Sequence, residues 1–125
     1  MKVALPTLTA LLQENVVELK FKRRHLKPGV PPTRRMLCTN CQQILASPEA
    51  RESLHYEATK LPPAFNPVTK NLIIAWDILV QDYRCISVEN CEVISVIPGD
   101  ETFWEYFSET LHKMTAEEKV TFMKV

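Results

Sequence analysis

The chain has 125 residues, with fifteen Lys or Arg balanced by fifteen Asp or Glu. A domain of that length buries roughly two-thirds of the surface its unfolded chain exposes, so its core needs neither disulfides nor a metal. No stretch is apolar for long enough to span a bilayer. The opening MKVALPTLTALLQEN has no signal-peptide cleavage pattern, so the chain reads as cytosolic, with its four Cys reduced.

The charge is unevenly spread. Residues 20–35 carry seven basic side chains and no acid, whereas residues 36–125 carry seven basic and thirteen acidic ones. That asymmetry predicts one anion-attracting face on a neutral molecule.

In chain order, residues 7–14 predict a short helix. Thr7 is its cap and Leu8, Leu11 and Leu12 lie on one face, so it must dock on something to persist. Residues 16–24 alternate as a strand, with Val17, Leu19 and Phe21 on one side and Glu18, Lys20 and Lys22 on the other. A proline-stiffened link, HLKPGVPP, leads to a second strand at 33–39. Pairing Arg24 with Thr33 sets Phe21 opposite Met36 and Leu19 opposite Cys38 on the inner face. The same register sets Lys22 opposite Arg35 on an outer, solvent-facing side.

Ser47-Pro48-Glu49 reads as a helix start running toward Leu54, and LPPAFNP at 61–67 as a long loop. Strands follow at 72–78, 83–88 and 91–97, the first apolar on both faces and therefore central. Phe103, Phe107 and Leu111 recur at helical spacing behind an Asp100 cap, which predicts a helix over 101–112. Thr115-Ala116-Glu117-Glu118 is a capping box that opens a last short helix.

Several elements share an order with one family. They are Val17-Glu18-Leu19-Lys20-Phe21-Lys22, Met36-Leu37-Cys38-Thr39, Trp76-Asp77, Tyr83-Arg84 and Val93-Ile94-Ser95-Val96. Over residues 16–97 they resemble a family of small phage and bacterial proteins with an Sm-like, SH3-type barrel related to WYL domains. The chain departs from the family pattern at Tyr83, where a Trp is usual, and at Cys85-Ile86-Ser87, where a basic residue is missing. The resemblance implies a mainly β fold with flanking helices (α+β). Its parts are a five-stranded SH3/Sm-like barrel, a short N-terminal helix and a C-terminal helical extension. The whole is one domain, 1–125, with the barrel at 16–97 and the extension at 98–125. It further implies a phage accessory protein acting in the host-cell cytoplasm, and it leaves a homodimer through edge strands open.

The candidate site is the basic hairpin: Lys20, Lys22, Arg23, Arg24, Lys27, Arg34 and Arg35. Like charges facing each other across a strand pair repel, and a phosphate backbone would relieve that repulsion. The bland alternative is that these charges neutralise the acidic C-terminal helix or protect a sheet edge. The expected function is non-enzymatic nucleic-acid binding without base reading, acting on transcription or nucleoid organisation. The rival is a module that inhibits or redirects a host protein through the 100–112 helix and the 57–69 loop, with Tyr83, Trp104 and Phe65 as contacts. Trp76, Phe103 and Phe107 read as core. Cys38 and Cys41 have CxxC spacing and Cys85 and Cys91 form a second pair. The first two fall on opposite strand faces if the strand continues and the second pair lacks knuckle spacing, so the four read as free thiols, Cys38 facing inward, rather than a zinc site. His25, His55 and His112 sit in unlike contexts, and no carboxylate pair can be assigned to a cleft. The sequence therefore points to no cofactor, no metal, no catalysis and no membrane.

Overall fold

A computed structural model describes residues 1–22, 28–29, 31–48, 52, 54, 56 and 71–123. Helix α1 spans Leu5–Glu14 and runs without a loop into strand β1, Asn15–Lys22. Strand β2 is Thr33–Thr39, followed by the single-turn helix α2, Gln42–Leu45. Strands β3, Leu72–Asp77, and β4, Asp82–Ser87, form a hairpin. A 3₁₀ turn, Val88–Asn90, leads to β5, Cys91–Pro98. Helix α3, Glu101–Tyr106, continues as a π-helical turn over Phe107–Leu111, and α4 spans Ala116–Met123.

Helix α1 starts two residues earlier than the sequence suggests, with Ala4 rather than Thr7 at the cap. Pro6 then falls in the first turn, where a missing N–H costs nothing. The helix that Ser47-Pro48-Glu49 would open, and the 57–69 loop, fall largely or wholly outside the described residues.

All strand pairs are antiparallel, in the order β4-β3-β2-β1-β5. In a flat sheet the two outer strands would lie about 19 Å apart. The 3₁₀ link between Ser87 and Cys91 covers only about 8 Å, and it joins those same outer strands. The sheet must therefore roll, and a bulge between Glu18 and Leu19 on the β1–β5 pair helps bend it. This is the expected mainly β fold, barrel-like, with helices at both ends of the chain.

Rolling gives the sheet two differently used faces. The concave side holds Val17 and Leu19 of β1, Met36 and Cys38 of β2, Ile73 and Ala75 of β3, Ile86 of β4 and Val93 of β5. Leu8 and Leu12 of α1 fill the same core and are fully buried. The convex side, which the alternation marks as outward, is covered over much of its area. There Val16, Leu37 and Trp76 pack against Cys41, against Ile44 and Leu45 of α2, and against Phe103, Phe107 and Leu111. The C-terminal helices hence lie on the sheet's convex face.

Local chemistry sets the helix starts. Asp100 accepts from the Thr102 amide at 2.8 Å, which holds its carboxyl below the ordinary range. The Thr115 hydroxyl accepts from the Glu118 amide at 3.1 Å, and the Glu118 carboxylate accepts from the Thr115 amide at 3.4 Å, closing the capping box. The π turn arises where the His112 amide reaches the Phe107 carbonyl, 2.7 Å away.

Candidate nucleic-acid interface on the basic hairpin

The β1–β2 register is the first correction. Leu19 faces Met36, Val17 faces Cys38, Lys20 faces Arg35, Phe21 faces Arg34 and Lys22 faces Thr33. The pairing is two residues out from the expected one. A two-residue slip leaves every side chain on its own face, so hydrophobic alternation cannot distinguish the two registers. Charge can. With Lys22 opposite Arg35, the diagonal neighbours of Arg35 on β1 would be Lys20 and Arg24. In the observed register one of those diagonals is Glu18, and the guanidinium lies 2.6 Å from its carboxylate.

Glu18 is buried and also accepts from the Ser95 hydroxyl on β5 at 3.3 Å. The other face of the Arg35 guanidinium is covered by the Phe122 ring of α4, 4.2 Å from its centroid. Tyr106 stands near enough for burial, and then the Glu18 charge, to raise its phenol pKa above the ordinary value, with Arg35 opposing. Arg35 is thus held by a carboxylate and a ring, and only partly presented to solvent.

Arg34 projects on the concave-side register beside Phe21, 5.9 Å from its ring, and donates to the Met123 thioether at 3.2 Å. Lys20 is half-buried and sits between Arg35 on β2 and Glu92 on β5. Lys22, at the end of β1, is exposed. Lys2, Lys20 and Lys22 line a cleft of about 280 Å³ together with Glu89 and Glu92. The Lys2 ammonium donates to the Glu89 carbonyl at 2.7 Å, and the Met1 amine lies 3.8 Å from Glu92. Arg23, Arg24 and Lys27 belong to the connection between Lys22 and Thr33 and lie outside the described residues. The seven cations named from the sequence therefore do not form one outward row. Two are engaged by α4, two border a cleft with acidic walls, and three fall in the link.

Of the proposed protein contacts, Phe65 lies outside the described residues. Tyr83 is half-buried. Its ring stands edge-on to Trp76 at 5.2 Å and its hydroxyl lies 3.5 Å from that of Tyr56. Burial first, and then that hydrogen bond, push its pKa up to about 12. Trp104 packs against Phe103 at 5.1 Å and Phe107 at 5.9 Å. Both residues belong largely to the convex core, whereas the sequence pattern set them apart from it. Trp76, Phe103 and Phe107 are buried as expected.

Cys38 and Cys91 lie in the concave core, Cys41 in the convex core, and Cys85 is exposed. Burial, then the Asp77 charge, pushes the Cys38 thiol well up. Among the described residues no group of three or more His, Cys, Asp or Glu is placed to hold a metal ion. No described helix is long and apolar enough to cross a membrane.

Sequence reasoning missed Glu18, Phe122 and Met123 as partners of the basic hairpin. Glu18 had a legible signal, being the one acid on the cationic face of β1. The other two had none, because nothing local says where α4 lands. It also missed Asp77, which is 1% exposed. One carboxylate oxygen of Asp77 accepts from the Leu79 and Val80 amides at 3.0 and 3.1 Å, and the other lies 3.6 Å from Arg84.

No protein-family model, no curated protein and no solved structure matches this chain.

Proposed function

We propose that the protein is a non-enzymatic binding module that associates with nucleic acid through the link end of the β1–β2 hairpin, contacting phosphates without reading bases. The observation that carries this reading is the convergence of Lys2, Lys20 and Lys22 on one cleft, beside a link that holds Arg23, Arg24 and Lys27 by sequence. Arg34 and Arg35 are removed from the primary contact set because α4 covers them. The acids Glu89 and Glu92 on the cleft wall temper its attraction for anions. A regulatory accessory role in a phage-infected cell accords with the family resemblance.

Titration of labelled duplex DNA and RNA at two salt concentrations tests the reading. Three phosphate contacts predict an affinity loss of roughly 40-fold between about 50 and about 200 mM salt. Lys22→Glu weakens binding and Glu92→Lys strengthens it. No binding at low salt overturns the proposal.

A second reading, a protein-interaction module, is favoured by β5. Among the described strands it pairs with β1 alone, Met1 bonds its backbone only at Val93, and Ile94 and Val96 are left 46% and 40% exposed. A partner that survives nuclease treatment and is lost with Ile94→Lys supports this reading against the first.

A further inference from the structure

We propose that α4 is a displaceable cover that keeps Arg34 and Arg35 from polyanions until it lifts. This inference rests on the nucleic-acid reading and adds a regulatory element to the same surface. Helix α4 has eight residues, none of them buried, and its Val120 is 46% exposed. A helix that short does not persist by its own propensity and depends on its docking. Its docking side chains, Phe122 and Met123, pack against the convex core and also touch the two arginines, with the Phe122 ring over Arg35 at 4.2 Å and the Met123 sulfur on Arg34 at 3.2 Å. Elsewhere the fit is loose. A cleft of about 360 Å³ is lined by Lys119 of α4 together with Phe107, Leu111 and His112.

The capping box closes α4 as a unit of its own, so it can leave the sheet without disturbing the π turn before it. Its contacts to the two guanidiniums are weak, although lifting it also withdraws Phe122 and Met123 from the convex core. A phosphate offers a guanidinium forked, charge-assisted hydrogen bonds, which outweigh a ring face or a thioether. Binding at the neighbouring cleft brings phosphates to the margin of α4, where they compete for Arg34. Arg35 keeps its Glu18 ion pair and gains a free upper face. Lifting α4 therefore extends the cationic surface from the hairpin end along β2.

The test compares the native chain with the Phe122→Ala/Met123→Ala variant, using a duplex DNA at two salt concentrations. The variant is expected to bind more tightly at low salt, and its log–log salt slope steepens by less than about 2, the value for two full guanidinium–phosphate contacts, because Arg35 keeps its Glu18 ion pair. Adding Arg34→Gln and Arg35→Gln to the variant should return both values to native. If the native chain binds and the variant has the same slope, the cover is overturned while the hairpin reading stands. If neither binds, both fall. Amide exchange of residues 116–123 in the native chain provides an arm that needs no variant. Loss of protection on adding DNA supports the cover, and unchanged protection overturns it.

Discussion

Arg35 and Glu18 meet diagonally across the β1–β2 ladder at 2.6 Å, and this ion pair selects the register from two that hydrophobic burial leaves equal. The pair is partly buried, with side-chain exposures of 32% for Arg35 and 11% for Glu18. Removing one partner strands the other. Glu18→Gln is expected to cost about 1–3 kcal/mol, below the range for fully buried pairs. The Glu18→Gln/Arg35→Gln double variant should lose less than the two single losses added together. Chemical denaturation of the four proteins measures the coupling, and additive losses would contradict a direct pair.

Gly99 allows no side chain. Its amide donates to the Glu14 carbonyl at 3.0 Å, and a Cβ there would stand 2.5 Å from the Cys41 sulfur and 2.6 Å from the Glu14 oxygen. Gly99→Ala should destabilise the fold by about 1–3 kcal/mol. Adding Cys41→Ala removes the sulfur clash but not the clash with backbone, so thermal melting should show only partial recovery. Full recovery would mean that the approach to α1 yields easily.

Asp77 makes stability depend on pH. Burial raises its carboxyl above 3.8, although the Val80 amide, Arg84, Arg34 and the Leu79 amide pull it down. The folded protein then binds the proton more readily than the unfolded chain. The stability associated with the protonated form is present at low pH and is lost as pH rises from 3.8 through the folded value. Asp77→Asn removes that slope and keeps the acceptor for Leu79 and Val80. Asp77→Ala leaves those two amides short of a partner and should cost about 2–3 kcal/mol at any pH. Urea unfolding at several pH values separates the two variants. A native slope of the opposite sign would refute the assignment.

The thiols should fall into one fast and three slow reactors. Cys85 is exposed, whereas Cys38, Cys41 and Cys91 are buried. Burial is also the leading cause that pushes the Cys38 and Cys91 thiols up. A disulfide reagent added to native protein is expected to release one equivalent quickly and the other three only on unfolding. Cys85→Ser should remove the fast phase.

The strands were legible because each has its own hydrophobic period. β2 matches the sequence expectation over 33–39, and the others agree within two residues at each end. What a strand's outward face meets is not written locally. Val16 and Leu37 sit on the face that carries Lys20 and Arg35, yet side chains of the distant C-terminal helices, Phe103, Phe107 and Leu111, help bury them. Trp104 looked peripheral against a narrow stripe defined by Phe103 and Phe107. The convex core is wide enough to receive its ring as well. The basic cluster was visible as composition. Its division between cleft, link and α4 depends on register and on where α4 docks, and both are tertiary facts.

Strand β1 gives Val17 and Leu19 to one core and Val16 to the other, so a single backbone segment is the party wall of two apolar compartments. Neither compartment can empty while that wall stands, and both open when it peels away. Heating should therefore collapse the Trp76 signal from one side and Cys38 protection on the other at the same temperature.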